Sequence, residues 1–235
     1  MMMMKNLYWI NGMQYGTLGN AYAIRHDTCL TLIDCGVAED LDTLLSNLQY
    51  WGIGHLPVRH VLLTHGHRDH AGNAKALQDA GAKIYVHRLD AWQLESGGLT
   101  CETVPTPDGL DFSLPAIKPD ILFFAGDILQ IEKEQFRVIG APGHTEGSVV
   151  FSWENEGRLL FFTGDTCSCS GDTGDEAILC WKADPGYSAD RYIETLEKLR
   201  HYKPDAVLGG HGVPLLKNGE RVLRSAAYKA LQEYR

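Results

Sequence analysis

The first third of the chain alternates short hydrophobic runs with glycines and polar residues, a pattern typical of β-strands joined by turns. The runs are LYWING, NAYAIRH and CLTLIDC. From Glu39 to Tyr50 leucines instead recur at helical spacing, which predicts a packed helix. This part of the chain is therefore expected to form strands followed by a helix.

A strand–turn–helix–strand order comes next and predicts an α/β layered domain. Residues 58–64, VRHVLLT, are apolar and β-branched, as a buried strand is. The stretch from Asp69 to Gly81 predicts a helix that ends at the glycine, and residues 82–87 return as a strand. Between the first strand and this helix lies THGHRDHAG, residues 64–72, which we call the histidine turn. It follows the carboxyl end of a strand, where α/β proteins often bind ligands.

The second half begins with an irregular segment, residues 96–120, which is rich in Gly, Pro and Thr. A segment of this length within one domain predicts a functional loop or lid, or else a disordered insertion. A second set of strands, a helix from Ala189 to Tyr202, a further strand and a final helix from about Gly219 follow. These strands are DILQIEK, FRVIGAP, SVVFSWE, RLLFFTG and DAVLGG. At 235 residues the chain is expected to form one domain over 1–235.

Composition and charge narrow the function classes. With 44% hydrophobic and 22% charged residues, the chain has the composition of an ordinary globular protein. A formal net charge of −9, without a basic arm or basic helix, argues against nucleic acid and membrane surfaces as partners. A small-molecule substrate is therefore expected, and the composition makes no prediction about oligomeric state. The sequence shows no secretory-signal pattern, no membrane-spanning apolar run and no C-x-x-C pair, so we expect a cytoplasmic protein with reduced cysteines.

The histidine turn carries four side chains that bind metals within six positions, a density that chance rarely gives. His65 and His67 are two residues apart in an extended stretch, so their side chains leave on the same side. Asp69 is expected at the N-cap of the next helix, and His70, in its first turn, is expected to point away from His65. One turn can thus serve two cations. Imidazole and carboxylate groups suit zinc, with iron or manganese as alternatives.

Three further candidate ligands each follow a predicted strand and lie beside a glycine, which lets the backbone approach a site closely. They are His144 in APGHTEGS, Asp165 in FFTGDTC and His211 in LGGHGVP. Taken singly, the two histidines have an ordinary explanation as loop residues and the aspartate as a turn cap. Taken together with the histidine turn, the three complete ligand sets for two metals.

The order His-x-His-x-Asp-His, Gly-His-Thr-x-Gly-Ser, Thr-Gly-Asp-Thr and Gly-His resembles the metallo-β-lactamase superfamily over most of the chain, and most closely its glyoxalase II-like hydrolase branch. The resemblance implies a single domain of α/β class, a four-layer αββα sandwich with the metals at one edge of two facing sheets. It implies the metal ligands His65, His67 and His144 for one cation and Asp69, His70 and His211 for the other, with Asp165 bridging both. It also implies that Asp34, in LIDCG, does not bind a metal itself but orients a ligating histidine. The alternative is that Asp34 caps a turn at the end of the strand.

The same resemblance implies a binuclear zinc-dependent hydrolase. A hydroxide shared by the two cations attacks an ester, thioester or lactone carbonyl, while Asp69 orients this nucleophile and transfers its proton. Zinc β-lactamases of the best-known subclass carry Cys where Asp165 stands, which argues against β-lactam substrates. Only 24 residues follow His211, too few for the helical domain with which glyoxalase II holds glutathione.

Three alternatives stay open. Persulfide dioxygenases resemble the same motif but use one iron, for which His65, His144 and Asp165 match the ligands. A phosphodiesterase and a non-catalytic metal-binding protein are less favoured, the latter because structural zinc sites are commonly rich in Cys. Cys167, two residues beyond Asp165, is either a thiol facing the substrate or a small buried hydrophobic residue.

Overall fold

A computed structural model describes residues 1–99, 112–170, 176–180 and 186–233. Contacts divide the chain into two compact units, Met1–Phe123 and Phe124–Arg235, and the expectation of one domain over 1–235 stays a prediction. Within the described ranges, no helix combines the length and the apolar composition needed to cross a membrane.

The first unit is built on a seven-stranded sheet with strand order β1-β2-β3-β4-β5-β6-β9 among its described residues. Its elements are β1 (Met2–Met4), β2 (Leu7–Asn11), β3 (Ala21–Arg25), β4 (Leu30–Ile33), α1 (Leu41–Tyr50), β5 (Val58–Leu62), α2 (Arg68–Ala71), α3 (Ala74–Asp79), β6 (Lys83–His87), α4 (Ala91–Ser96), β7 (Gly98–Leu99), β8 (Phe112–Ser113) and β9 (Ile121–Phe123). Strands β1 to β4 pair antiparallel, whereas β4, β5, β6 and β9 are parallel neighbours. Because parallel strands end at the same edge of a sheet, the loops after β4, β5 and β6 begin side by side.

The core of the first unit explains this arrangement. Leu32 of β4, Val61 of β5 and Ile84 of β6 are fully buried together with Leu44 of α1 and Leu77 of α3. The apolar positions of each helix therefore cover the parallel strands, and burial of each such side chain contributes about 1.5–3 kcal/mol. The ends of these strands, which carry polar residues, are therefore supported by a closely packed core.

The second unit contains a five-stranded sheet, order β10-β11-β12-β13-β16, among the residues described there. Its elements are β10 (Ile128–Ile131), β11 (Glu134–Gly140), β12 (Val149–Asn155), β13 (Arg158–Gly164), β14 (Ser168–Cys169), β15 (Ala177–Ile178), α5 (Ala189–Leu199), β16 (Ala206–Gly209) and α6 (Gly219–Glu233). Strands β10 to β13 are antiparallel and β16 lies parallel to β13. Strands β11, β13 and β16 thus run in one direction and their carboxyl ends share an edge, while Leu196 of α5 and Val222 of α6 are buried with Val150 and Val207 of the sheet.

The hydrophobic pattern predicted the main strands and helices, but the helix expected from Asp69 to Gly81 is interrupted. It forms two short helices, α2 and α3, with Gly72 and Asn73 between them. The Asn73 side-chain amide donates hydrogen bonds to the carbonyls of Cys35 and Val37, at 2.8 and 2.6 Å. These bonds tie the break to the loop after β4, a tertiary contact that helical periodicity does not reveal.

Several elements of the described residues were not predicted. Met2–Met4 forms the edge strand β1 by pairing with β2, α4 follows β6, and Ile121–Phe123 adds β9 beside β6. Within the irregular segment at 96–120, Gly98–Leu99 and Phe112–Ser113 pair as the strands β7 and β8. Residues 100–111 of the expected lid or insertion lie outside the described residues.

Candidate metal centre

The histidine turn lies in the loop after β5, at the edge of the first sheet where the parallel strands end. His65, His67 and His70 are buried, and the rings of His65 and His67 lie 4.8 Å apart between their centroids, as the alternation of an extended chain predicts. The ring of His70 lies only 4.2 Å from that of His65, so the expectation that it points away is wrong. Asp69 is not the N-cap either, because α2 begins one residue earlier and His67 takes that position.

Asp34 explains the direction of His70. This buried carboxylate follows β4, and its Oδ2 atom lies 2.9 Å from Nδ1 of His70. It also accepts hydrogen bonds from the amide and the hydroxyl of Thr64, both at 2.8 Å. The ring of His70 is therefore held toward β4 rather than away from it, as expected for a carboxylate that orients a ligating histidine.

The same contacts fix which ring nitrogen of two histidines carries a proton. The single hydrogen of the Thr64 hydroxyl goes to Asp34, so at 3.1 Å this hydroxyl accepts a hydrogen bond from Nδ1–H of His65. Nδ1 of His70 likewise donates to Asp34. In neutral imidazole the other nitrogen, Nε2, then keeps its lone pair, which is the form that binds a metal.

A second buried carboxylate, Asp90, holds the middle of the histidine turn. It follows β6, and its Oδ2 atom accepts a hydrogen bond of 3.0 Å from the amide of Gly66. A Cβ atom at position 66 would lie 3.0 Å from the Gln93 side chain and 3.1 Å from the Asp90 carbonyl. The glycine between His65 and His67 thus lets the turn pack closely against the start of α4.

In the second unit the three predicted ligands lie together at the sheet edge formed by β11, β13 and β16. Oδ2 of Asp165 lies 3.5 Å from Nε2 of His144 and 3.2 Å from Nε2 of His211. The exposed fraction of the side chain rises from 1% at His144 to 12% at Asp165 and 36% at His211. One carboxylate therefore stands between two imidazoles, as a bridging ligand would.

The distances between donor atoms fit metal ligands better than hydrogen bonds. In the first unit Oδ2 of Asp69 and Nε2 of His70 are 3.4 Å apart, close to the two Asp165 distances. A hydrogen bond between charged groups is shorter, about 2.7–2.9 Å. Two ligands bound tetrahedrally to Zn²⁺ at about 2.0–2.1 Å are separated by about 3.3 Å. The donor set is also nitrogen and oxygen only, which suits zinc, iron or manganese.

Loop hydrogen bonds hold the second unit's ligands in place. In the loop after β11, the Thr145 amide donates to the Ser148 hydroxyl at 3.0 Å, which closes the turn beside His144. The Ser168 hydroxyl accepts a 3.0 Å hydrogen bond from the amide of His211. Cys167 is fully buried, and burial raises the pKa of its thiol, so it is the small buried residue rather than a thiol facing solvent.

The structure thus brings all predicted ligands of each unit together, and their role as ligands stays a prediction. Sequence reasoning did not assign roles to Thr64, Asp90 and Ser168. Asp90 had a usable signal, because it is an acidic residue shortly after a parallel strand, as Asp34 is. Thr64 and Ser168 act through hydrogen bonds that only the folded chain forms.

Comparisons with known proteins agree with this chemistry. A family profile of the metallo-beta-lactamase superfamily matches residues 15–211. The uncharacterized protein YobT of Bacillus subtilis is 26% identical over 220 residues, 90% of each chain. Hydroxyacylglutathione hydrolase of Rhodobacter capsulatus is 30% identical over 156 residues, 66% of this chain and 48% of that one. The human acyl-coenzyme A thioesterase MBLAC2 is 26% identical over 148 residues, 58% of this chain and 48% of that one. The match thus spans about half the length of the two named enzymes.

Among solved structures, BJP-1, a subclass B3 metallo-beta-lactamase of Bradyrhizobium japonicum, superposes with a TM-score of 0.74. The alignment covers 97% of this chain and 89% of that one at 22% sequence identity. At that identity the likeness concerns the fold alone.

Proposed function

The chain belongs to the metallo-beta-lactamase superfamily, and from this premise we propose that it is a hydrolase that binds two divalent cations, taken as Zn²⁺, and cleaves an ester, thioester or lactone. The family and the fold expected from the motifs, an α/β metallo-β-lactamase fold with two major sheets, are confirmed by the family match and the solved structure. Members of this superfamily are generally hydrolases. Iron and manganese remain chemically suitable alternatives to zinc.

The single observation that carries the proposal is the donor spacing of 3.2–3.5 Å found in both units. It supports the pairing of Asp69 with His70 and of Asp165 with His144 and His211, and the motifs imply the complete ligand sets. On the motif-implied assignment, His65, His67 and His144 would hold one cation, Asp69, His70 and His211 would hold the other, and Asp165 would be shared by both. The seven candidate ligands comprise two negatively charged aspartates and five neutral imidazoles, so a pair of divalent cations would leave the site with a net positive charge. This charge would stabilise an anionic transition state.

Two bound divalent cations supply a water of lowered pKa and polarise the carbonyl that is attacked. The chain's own residues orient and move protons around them. Asp34 holds His70 directly and His65 through the Thr64 hydroxyl, so that each ring keeps Nε2 for its own cation. Asp69 has a side chain 29% exposed, and with Oδ2 used as a ligand its Oδ1 accepts the proton released and returns it to the leaving group.

The relatives support a thioester within the proposed carbonyl class. Hydroxyacylglutathione hydrolase and an acyl-coenzyme A thioesterase both carry thioester-cleaving names, and they match this chain over 66% and 58% of its length. The net charge of −9 supports a small-molecule substrate rather than nucleic acid. We therefore propose acyl thioesters as the first substrates to test.

Metal analysis of protein purified without added metal tests the proposal first. We expect about two zinc ions per chain, because seven donors with one shared give each ion four protein ligands, and catalytic zinc can take a fifth ligand for the reacting water. One iron per chain would instead support the persulfide dioxygenase alternative. Apo-protein reloaded with zinc or iron is then assayed on esters, thioesters, lactones, phosphodiesters and β-lactams. The absence of activity on every ester, thioester and lactone would contradict the proposal.

The variant Asp165→Ala tests the bridging role. We expect it to lose tight binding of the second cation and most turnover, measured by native mass spectrometry and steady-state kinetics. Asp42→Ala, at an exposed position of α1, is the matched control and should keep both. Unchanged metal content and rate in the Asp165 variant would refute the ligand assignment.

A further inference from the structure

Helix α5 of the second unit contacts the two loops that carry the candidate ligands His144 and Asp165, although it supplies no candidate ligand itself. We propose that Tyr192 and Thr195 of α5 are positioning residues, which fix the loops of Asp165 and His144 and so set the affinity of these ligands for metal. This inference rests on the proposed function, because it assumes that Asp165 and His144 bind cations.

Tyr192 fixes the Asp165 loop through its hydroxyl group. The side chain is fully buried, and its hydroxyl donates a 2.7 Å hydrogen bond to the carbonyl of Thr166, the residue after the ligand. The same oxygen accepts a 3.0 Å hydrogen bond from the amide of Cys180. The peptide group between Thr166 and Cys167, one residue beyond Asp165, is therefore tied to the helix, and this restricts the backbone of the loop that carries Asp165.

The same face of α5 holds the His144 loop. The Thr195 hydroxyl donates a 2.6 Å hydrogen bond to the carbonyl of Pro142, and the Ser188 amide donates a 2.8 Å bond to the carbonyl of Gly143. A Cβ atom at Gly143 would lie 2.4 Å from Cα of Tyr192, so the loop backbone rests directly on the helix. Gly143 has φ of +140°, which a side chain rarely tolerates.

Both loops are thus hydrogen-bonded to the same helix, α5. The helix therefore fixes the distance between the donor atoms of His144 and Asp165. Nε2 of His144 and Oδ2 of Asp165 are 3.5 Å apart, the spacing of two ligands on one cation. Loss of either hydroxyl frees one loop from the helix and lets this distance vary. Removal of a group that orients a ligand typically lowers metal affinity by about 10–100-fold.

The test uses Tyr192→Phe and Thr195→Val, each of which removes a hydroxyl and keeps the shape of the side chain. Zn²⁺ affinity is measured on the full chain by competition with a chromophoric chelator, and the d–d absorption of the Co²⁺-loaded protein reports ligand geometry. We expect Tyr192→Phe to weaken both cations by about 10–100-fold, because Asp165 is the proposed bridge. Thr195→Val should weaken only the cation that takes His144, and both variants should shift the Co²⁺ bands.

Tyr202→Phe is the matched control. Tyr202 packs on Phe161 in the same core, 5.5 Å between ring centroids, so it reports any general effect of removing a phenol hydroxyl there. Affinities and Co²⁺ spectra equal to wild type in Tyr192→Phe and Thr195→Val would overturn the inference and leave the proposed function intact. A wild-type chain that binds neither Zn²⁺ nor Co²⁺ would overturn the proposed function, and this inference with it. Should Tyr192→Phe not fold, Thr195→Val decides alone.

Discussion

Replacement of Asp34 by Asn is the sharpest test of how the first unit prepares its histidines. The Asp34 carboxylate accepts three hydrogen bonds, from the amide and hydroxyl of Thr64 and from Nδ1 of His70, at 2.8–2.9 Å. An Asn side chain has nearly the same shape but offers one oxygen and one NH₂ group. Whichever way the amide is turned, its NH₂ group faces at least one donor.

The least costly orientation places the NH₂ group against the Thr64 amide, so one hydrogen bond to a carboxylate is lost and a buried donor loses its partner. A hydrogen bond to a charged group contributes about 1.5–3 kcal/mol, and an unsatisfied buried donor costs about 1–3 kcal/mol. A loss of about 3 kcal/mol therefore follows, which corresponds to about 6–12 °C in Tm for a chain of this size. Zn²⁺ affinity should also fall by about 10–100-fold, because His70 loses its anionic partner.

The assay is thermal unfolding of the metal-free protein by circular dichroism, followed by Zn²⁺ titration against a chelator. Asp79→Asn is the matched control, since Asp79 is exposed and pairs with Lys75 one helical turn away, where an ion pair contributes about 0.5 kcal/mol or less. If Asp34→Asn melts within about 2 °C of wild type and binds Zn²⁺ equally well, the carboxylate does not orient the histidine and the reasoning fails.

Three further predictions follow from buried contacts. Gly143→Ala should lower the free energy of unfolding by more than about 2 kcal/mol in a urea titration, because its new Cβ atom would clash with the α5 backbone. Gly157→Ala is the control and should lower it less, because Gly157 also has a positive φ but has open space around the new Cβ atom. Cys35 and Cys167 should stay unlabelled by a disulfide reagent at pH 8 until the chain is unfolded, since burial raises the pKa of both thiols; labelling of the native protein, detected by peptide mass spectrometry, would contradict this. Asp90→Ala should weaken Zn²⁺ binding about tenfold or more, measured by chelator competition, because the variant loses the hydrogen bond from Asp90 to the histidine turn. An unchanged affinity would show that the turn keeps its shape without this hydrogen bond.

The sequence predicted the parts of the site that depend on strand ends. His65, His67, Asp69 and His70 lie together, as predicted, because they share one turn after a buried strand, and their role as ligands stays a prediction. His144, Asp165 and His211 each follow a strand, and parallel directions bring such ends to one edge. Local pattern and sheet topology therefore suffice for the ligands of each unit.

The rest depends on contacts between distant parts of the chain. The direction of His70 is set by Asp34, 36 residues away, so the local geometry of the turn gave the wrong orientation. The break between α2 and α3 is fixed by Asn73 bonding to the loop after β4. The hydrogen bonds of Tyr192 could not be predicted, because a phenol and an aliphatic residue give the same hydrophobic periodicity.

The rise in exposure along the second sheet edge, from His144 to Asp165 to His211, gives the proposed centre an inner and an outer cation. In that proposal the inner ion would be bound by His144, whose side chain is 1% exposed, and the outer ion by His211, whose side chain is 36% exposed. A chelator in solution reaches the outer donor first, so the two ions should exchange at different rates, seen as two kinetic phases of metal release. On this proposal the outer ion would be replaced while the inner ion still held Asp165.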